Sequence, residues 1–240
     1  MTNKIGKRLQ KLNNKQIAED IKKYIRYSHD FYSARVPEMR TLAKRLHEEH
    51  NLKDFYKVFN RLWKSSYHGE VSLAIYTLQL YKEEFNLETW NFLKPRLNEI
   101  KSWDQVDSIG INIIGEIVLK NPKLEKEIIK FAKSTNIWLK RMAIVSTLPL
   151  IRNGDLKLAM QLIETHLYDK EEHIQKAIGW ILNEMSRKKP DFIKKFILRH
   201  IHDMHPIAFY YATEKMKDLR KMRKIKKLKT DRKGFFFWKN

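Results

Sequence analysis

Apolar positions along this chain keep a helical period almost without interruption. Between Asn51 and Lys64 they fall at Leu52, Phe55, Val58, Phe59 and Leu62. Between His68 and Phe85 they fall at Val71, Leu73, Ala74, Leu78 and Tyr81. The breaks are short: Asn86, Asn121-Pro122, Asn153-Gly154 and Lys189-Pro190. Gly (7) and Pro (6) are scarce. The pattern predicts an almost wholly α-helical chain of antiparallel helix pairs with tight connections.

The pairs repeat. HGEVSLAIYTL (68–78), NIWLKRMAIVSTL (136–148) and EEHIQKAIGWIL (171–182) carry Ala74, Ala143 and Ala177 at matching places. Ile109 in DQVDSIGINII fills the missing slot, and Ala212 continues the series. The steps are 35, 34, 34 and 35 residues, room for two helices and a turn. The predicted fold is therefore all-α, a HEAT-like α-solenoid: a curved superhelix of helix pairs with a 34–35-residue period. Residues 1–216 are assigned to one repeat domain.

The period also orders the polar residues. Asp107, Arg141 and Gln175 each lie two residues before a repeat marker, which predicts a ladder on one face. Trp103 is four residues before Asp107 and shares its helix face. Trp180 lies five after Gln175, on a different side of an ideal helical wheel.

Charge changes the picture next. Lys and Arg number 49 against 28 Asp and Glu, a net +21. So large an excess costs self-repulsion in the compact state and points to a polyanionic partner such as nucleic acid, bound on the concave face. Residues 217–240 concentrate it, with eleven Lys and Arg against two Asp. That segment ends Phe235-Phe236-Phe237-Trp238. It reads equally as a DNA-backbone arm or as a final capping helix. The chain has no Cys, so thiolate and disulfide chemistry are excluded. With no apolar run near 18 residues and no signal-like start, the expectation is a cytoplasmic monomer that contacts no membrane.

Five segments in order carry a resemblance. They are RVPEMRTLAK (35–44), LWKSSYHGE with Trp63 and Glu70, SWDQVD (102–107), WLKRMAIV (138–145) and IQKAIGWILNEMSRKKP (174–190). Together they resemble the AlkD-like DNA alkylation repair glycosylases, which are HEAT-like superhelices. The resemblance implies that Trp103 and Trp180 line the lesion-side cleft, that Asp107 is the catalytic carboxylate, and that Arg141 binds the DNA backbone. It implies an N-terminal aromatic contact to DNA at Tyr24, with Tyr27 the competing assignment. Lys140, Gln175 and Lys176, beside these positions, are added as DNA-binding candidates. The chain departs from the family at Tyr32-Ser33-Ala34, where Gly is frequent before RVP.

The implied function is removal of cationic N3- or N7-alkylated purines from duplex DNA without flipping the base, with no metal and no cofactor. Such a base is already a good leaving group. What needs stabilising is the cationic deoxyribose, which a carboxylate does electrostatically. Indole faces attract cations and polarised C–H bonds, and a guanidinium fork suits phosphate. Two other classes stay open: a non-catalytic protein that binds distorted or branched DNA, and a protein–protein scaffold. His200, His202 and His205 do not share a helix face, and HEEH (47–50) is one residue short of the HExxH zinc motif.

Overall fold

A computed structural model describes residue 19 and residues 36–223. Tyr24, Tyr27 and residues 224–240 lie outside the described residues. Those described form helices and connecting turns, with no strand among them. Helices α1 (Val36–Glu49), α2 (Leu52–Trp63), α3 (His68–Leu78), α4 (Leu87–Leu93), α5 (Trp103–Ile109) and α6 (Gly115–Lys120) belong to one compact unit. A second unit, beginning at Pro122, holds α7 (Glu125–Ala132), α8 (Ile137–Val145), α9 (Leu148–Arg152) and α10 (Lys157–His166). It continues with α11 (Glu172–Ser186), α12 (Pro190–Arg199), α13 (Pro206–Ala212) and α14 (Lys217–Met222).

The expected period appears in the helix starts. The first helices of successive pairs begin at His68, Trp103, Ile137, Glu172 and Pro206, steps of 35, 34, 35 and 34 residues. Within the first unit α3 packs on α5; within the second, α8 packs on α11 and α11 on α13. Many side-chain hydrogen bonds from one pair to the next join residues about one repeat apart, such as Asn183 to Tyr211 (28 residues) and Lys120 to Lys82 (38).

The turn residues act as local chemistry dictates. Asn51, Asn86 and Asn136 are N-caps, accepting from the backbone N–H groups of Asp54, of Glu88 and Thr89, and of Trp138. Gly154 takes φ +92°, left-handed backbone that favours glycine, and so closes the turn after α9. Pro190 and Pro206 occupy first helical positions, where a missing N–H is harmless.

The core follows the repeat markers. Ala74, Ile109, Ala143 and Ala177 are all fully buried, and Ala212 nearly so. Around them Leu73, Leu78, Val106 and Ile113 fill the first unit, and Met142, Ile174, Ile181 and Phe209 the second. Each large apolar side chain so buried contributes about 1.5–3 kcal/mol.

The start of the basic C-terminal segment packs on the last described repeat. Leu219 is buried, Lys194 pairs with Asp218 at 2.6 Å, and Arg220 donates to the Tyr210 carbonyl at 2.7 Å while lying over its ring. No described helix is long and apolar enough to cross a membrane.

Candidate nucleic-acid interface and reaction site

Helix α5 begins at Trp103, with Asp107 one turn later. Trp103 is half-buried, and Asp107 is 2% exposed. After Ile109 the chain continues as a π turn over Gly110–Ile114, closed by the Gly115 N–H on the Gly110 carbonyl. A π turn inserts one residue into the helical register, and such turns concentrate at functional sites. Sequence periodicity missed it; Gly110 and Gly115, at its two ends, are the visible trace.

The first turn of α5 is tied to the first turn of α3 by a buried polar network. His68 Nε2 lies 3.1 and 3.3 Å from the two Asp104 carboxylate oxygens and 3.4 Å from Ser102 Oγ. His68 Nδ1 lies 3.3 Å from Ser72 Oγ. Gln105 Nε2 donates to the His68 carbonyl and to Ser72 Oγ, both at 3.4 Å. Burial pushes the Asp104 carboxyl up. The opposing charge of His68 and the bonds from His68, Ser102 and the Gln105 backbone outweigh it and hold the carboxyl below its ordinary value. The carboxylate therefore adds stability above the unfolded value of about 3.9, and that stability is lost as pH falls through the lower folded value. Neither His68 nor Asp104 stood out in the sequence. They are 36 residues apart, one repeat, and the repeat step is the signal that finds the pair.

The polar ladder is real as a register position but is buried rather than displayed. Ser72, Asp107, Arg141 and Gln175 each precede a core marker by two residues and are 8%, 2%, 5% and 0% exposed. Gln175, expected at a DNA contact, is fully buried. Its Nε2 donates to the carbonyls of His166, Leu167 and Asp169, fastening the turn between α10 and α11, and its Oε1 is buried without a hydrogen-bond partner.

The other second-unit candidates cluster at the start of α8 and α11. Arg141 Nη1 donates to the His173 carbonyl at 2.5 Å, and the His173 ring lies 4.9 Å from that of Trp138. Lys140 pairs with Asp169 at 3.1 Å, so part of its charge is already balanced. Lys176 pairs with Glu172 at 2.6 Å on the surface. Burial pushes the His166 imidazole, 3.6 Å from Asp169, below its ordinary value.

Trp180 is half-buried, and it belongs to the outer stripe of α11. His173, Lys176, Trp180 and Glu184 recur every three or four residues along that stripe, all half-buried. The intervening Ala177, Ile178, Gly179, Ile181 and Leu182 face the core. The five-residue offset from Gln175 is thereby explained: position 175 points inward and position 180 outward. Arg141, through His173, touches the stripe that carries Trp180. A neighbouring face of α11 is pressed against α13, where Asn183 Nδ2 donates to the Tyr211 carbonyl at 3.0 Å. A Cβ on Gly179 would fall 2.5 Å from the Ala208 carbonyl oxygen and 2.6 Å from Tyr211 Cβ.

The histidines of HIHDMH take up local work. His205 accepts from the Ile207 N–H at the start of α13, and His200 packs against Phe196.

A fold of repeated helix pairs, with a Trp and a buried Asp on one helix and an Arg and a Trp on later repeats, defines a class that known families can be compared with. The family model for DNA alkylation repair enzymes matches residues 5–216, and the chain belongs to that family, which implies interaction with DNA. No curated protein is matched by the sequence. Among solved structures it is similar to a predicted DNA alkylation repair enzyme from Enterococcus faecalis, with 22% identity and a TM-score of 0.75 over 85% of this chain and 96% of that one. It is also similar to AlkD2 from Streptococcus mutans, with 17% identity and a TM-score of 0.58 over 83% and 97%. At these identities the likeness concerns the fold.

Proposed function

We propose that the protein is a monofunctional DNA glycosylase that hydrolyses the N-glycosidic bond of cationic N3- or N7-alkylated purines in duplex DNA. The observation that carries this reading is the pairing on α5 of half-buried Trp103 with buried Asp107 one turn away. A carboxylate shielded from water interacts strongly with a developing cation, and one fixed on a helix needs no reorganisation when the charge appears. In the proposed reaction the C1′–N bond breaks with its electron pair leaving on the alkylated base, whose positive charge is thereby neutralised. Asp107 stabilises the resulting oxocarbenium-like sugar and accepts a proton from the incoming water. Trp103 supplies an indole face to the sugar. Trp180, with Arg141 near its stripe, holds the DNA backbone. The cationic base departs without an acid, so the lesion need not enter a pocket.

The direct test is release of methylated purine from methylated duplex DNA by the purified protein. The expected result is release of 3-methyladenine or 7-methylguanine, leaving an intact strand with an abasic site. Tight binding to branched DNA with no release of base would instead favour a non-catalytic DNA-binding protein.

Affinity for unmodified duplex is a second readout. With a net charge of +21, binding is expected to weaken by about tenfold or more between 50 and 200 mM salt, as counterions released from phosphates return. Affinity measured by fluorescence anisotropy across that range checks this. A flat profile would point to a protein–protein scaffold.

A further inference from the structure

We infer that His68 is a positioning residue for the reaction helix: it sets the aim of Trp103 and Asp107 through the residues on either side of Trp103. The inference rests on the glycosylase reading above.

Ser102, Asp104 and Gln105 surround Trp103 in sequence, and each is bonded to His68. Ser102 and Asp104 reach its Nε2, and Gln105 reaches its backbone carbonyl. Ser72, one turn along α3, closes the network at His68 Nδ1 and receives the second Gln105 bond. Ser102 stands at the N-cap position of α5 with extended backbone, yet its side chain makes no capping bond and turns to His68 and the Asp104 carboxyl instead. A serine at this position normally satisfies an orphan N–H of the first turn. Its diversion ties the start of α5 to α3.

This anchoring bears directly on the site. Each residue of a helix advances the side-chain direction by about 100°, so a small rotation of α5 about its axis re-aims Trp103 and Asp107 together. With its N-cap residue and two residues of its first turn fixed to α3, that rotation is blocked. Without His68, the Ser102 hydroxyl keeps only its bond to the Asp104 carboxyl, and half-buried Asp104 loses its partner on α3. Both changes favour a turned helix.

The test is a double-mutant cycle with His68→Ala, Asp104→Asn and the pair, plus His68→Gln, which keeps a donor near the Nε2 position. Single-turnover base release is measured with enzyme in excess, alongside affinity for unmodified duplex. His68→Ala is expected to slow release by about 10- to 100-fold, the scale of a misplaced reacting group, with affinity changed less than about twofold. The double mutant is expected to be no slower than the worse single mutant, since partners in one network are not additive. His68→Gln is expected to recover most of the rate. Additive losses, an unchanged rate in His68→Ala, or equal losses in rate and affinity overturn the inference.

If wild type releases no base, the glycosylase reading fails and amide exchange decides the inference separately. His68→Ala should speed exchange at residues 104–109 while leaving α11 unchanged. Unaltered exchange in α5 sinks the inference whatever the activity.

Discussion

Asp107→Asn is expected to slow release of methylated purine by roughly two to three orders of magnitude, the usual loss when one preorganised electrostatic group is removed from a reaction site. Asn has almost the same shape and keeps a polar side chain where Asp107 is buried, so packing around Val106 and Ile109 is preserved. What disappears is the negative charge opposite the developing sugar cation and the capacity to accept a proton from water. Binding to unmodified duplex should change little, because that affinity comes chiefly from surface cations and phosphates. Single-turnover release, duplex affinity and thermal melting, measured together, separate these effects. Equal rates in wild type and Asp107→Asn would defeat the proposed mechanism. A parallel collapse of melting temperature would assign Asp107 to folding instead.

Gly179→Ala is expected to destabilise the second unit, although helix propensity predicts the reverse. Exchanging glycine for alanine inside a helix ordinarily gains up to about 1 kcal/mol. Here the new methyl would meet the Ala208 backbone oxygen at 2.5 Å and Ala208 Cα at 3.0 Å. A backbone obstacle cannot swing aside as a side chain does, so α11 and α13 must separate. Forced overpacking of this kind costs about 1–3 kcal/mol, or roughly 3–10 °C in melting temperature for a chain this size. The separation also breaks the geometry of the Asn183 bond to Tyr211 and displaces Trp180, the next residue along α11. An unchanged or higher melting temperature would show that the two helices adjust freely.

Most of the architecture was legible because a repeat writes itself into sequence several times. The alanine markers, the Asn caps and the Asn-Gly turn each fall where local chemistry requires, and the helix starts keep the expected step. What escaped is tertiary. Gln175 shares a register position with Asp107 and Arg141, but nothing in one sequence separates a polar side chain that fastens a buried turn from one that meets solvent. The π turn after Ile109 depends on a single changed hydrogen bond, which apolar periodicity does not record. His68 and Asp104 look like unremarkable polar residues until α3 and α5 are laid side by side. Trp180 resolves differently: its mismatch with Gln175, which the wheel exposed, is the sign that it lies on the outer stripe.

The one-repeat reach of the hydrogen bonds between helix pairs has a kinetic consequence. When partners lie about 35 residues apart, little loop entropy is spent before each contact forms, and topologies of low contact order fold quickly. Each helix pair can dock soon after the next emerges from the ribosome, without waiting for the rest of the chain. Stability in such arrays is a sum over neighbours, so a weakened junction such as α11 against α13 opens locally before its neighbours do. Repeats towards the C-terminus would then lose protection first in Gly179→Ala, while α3 and α5 stay closed.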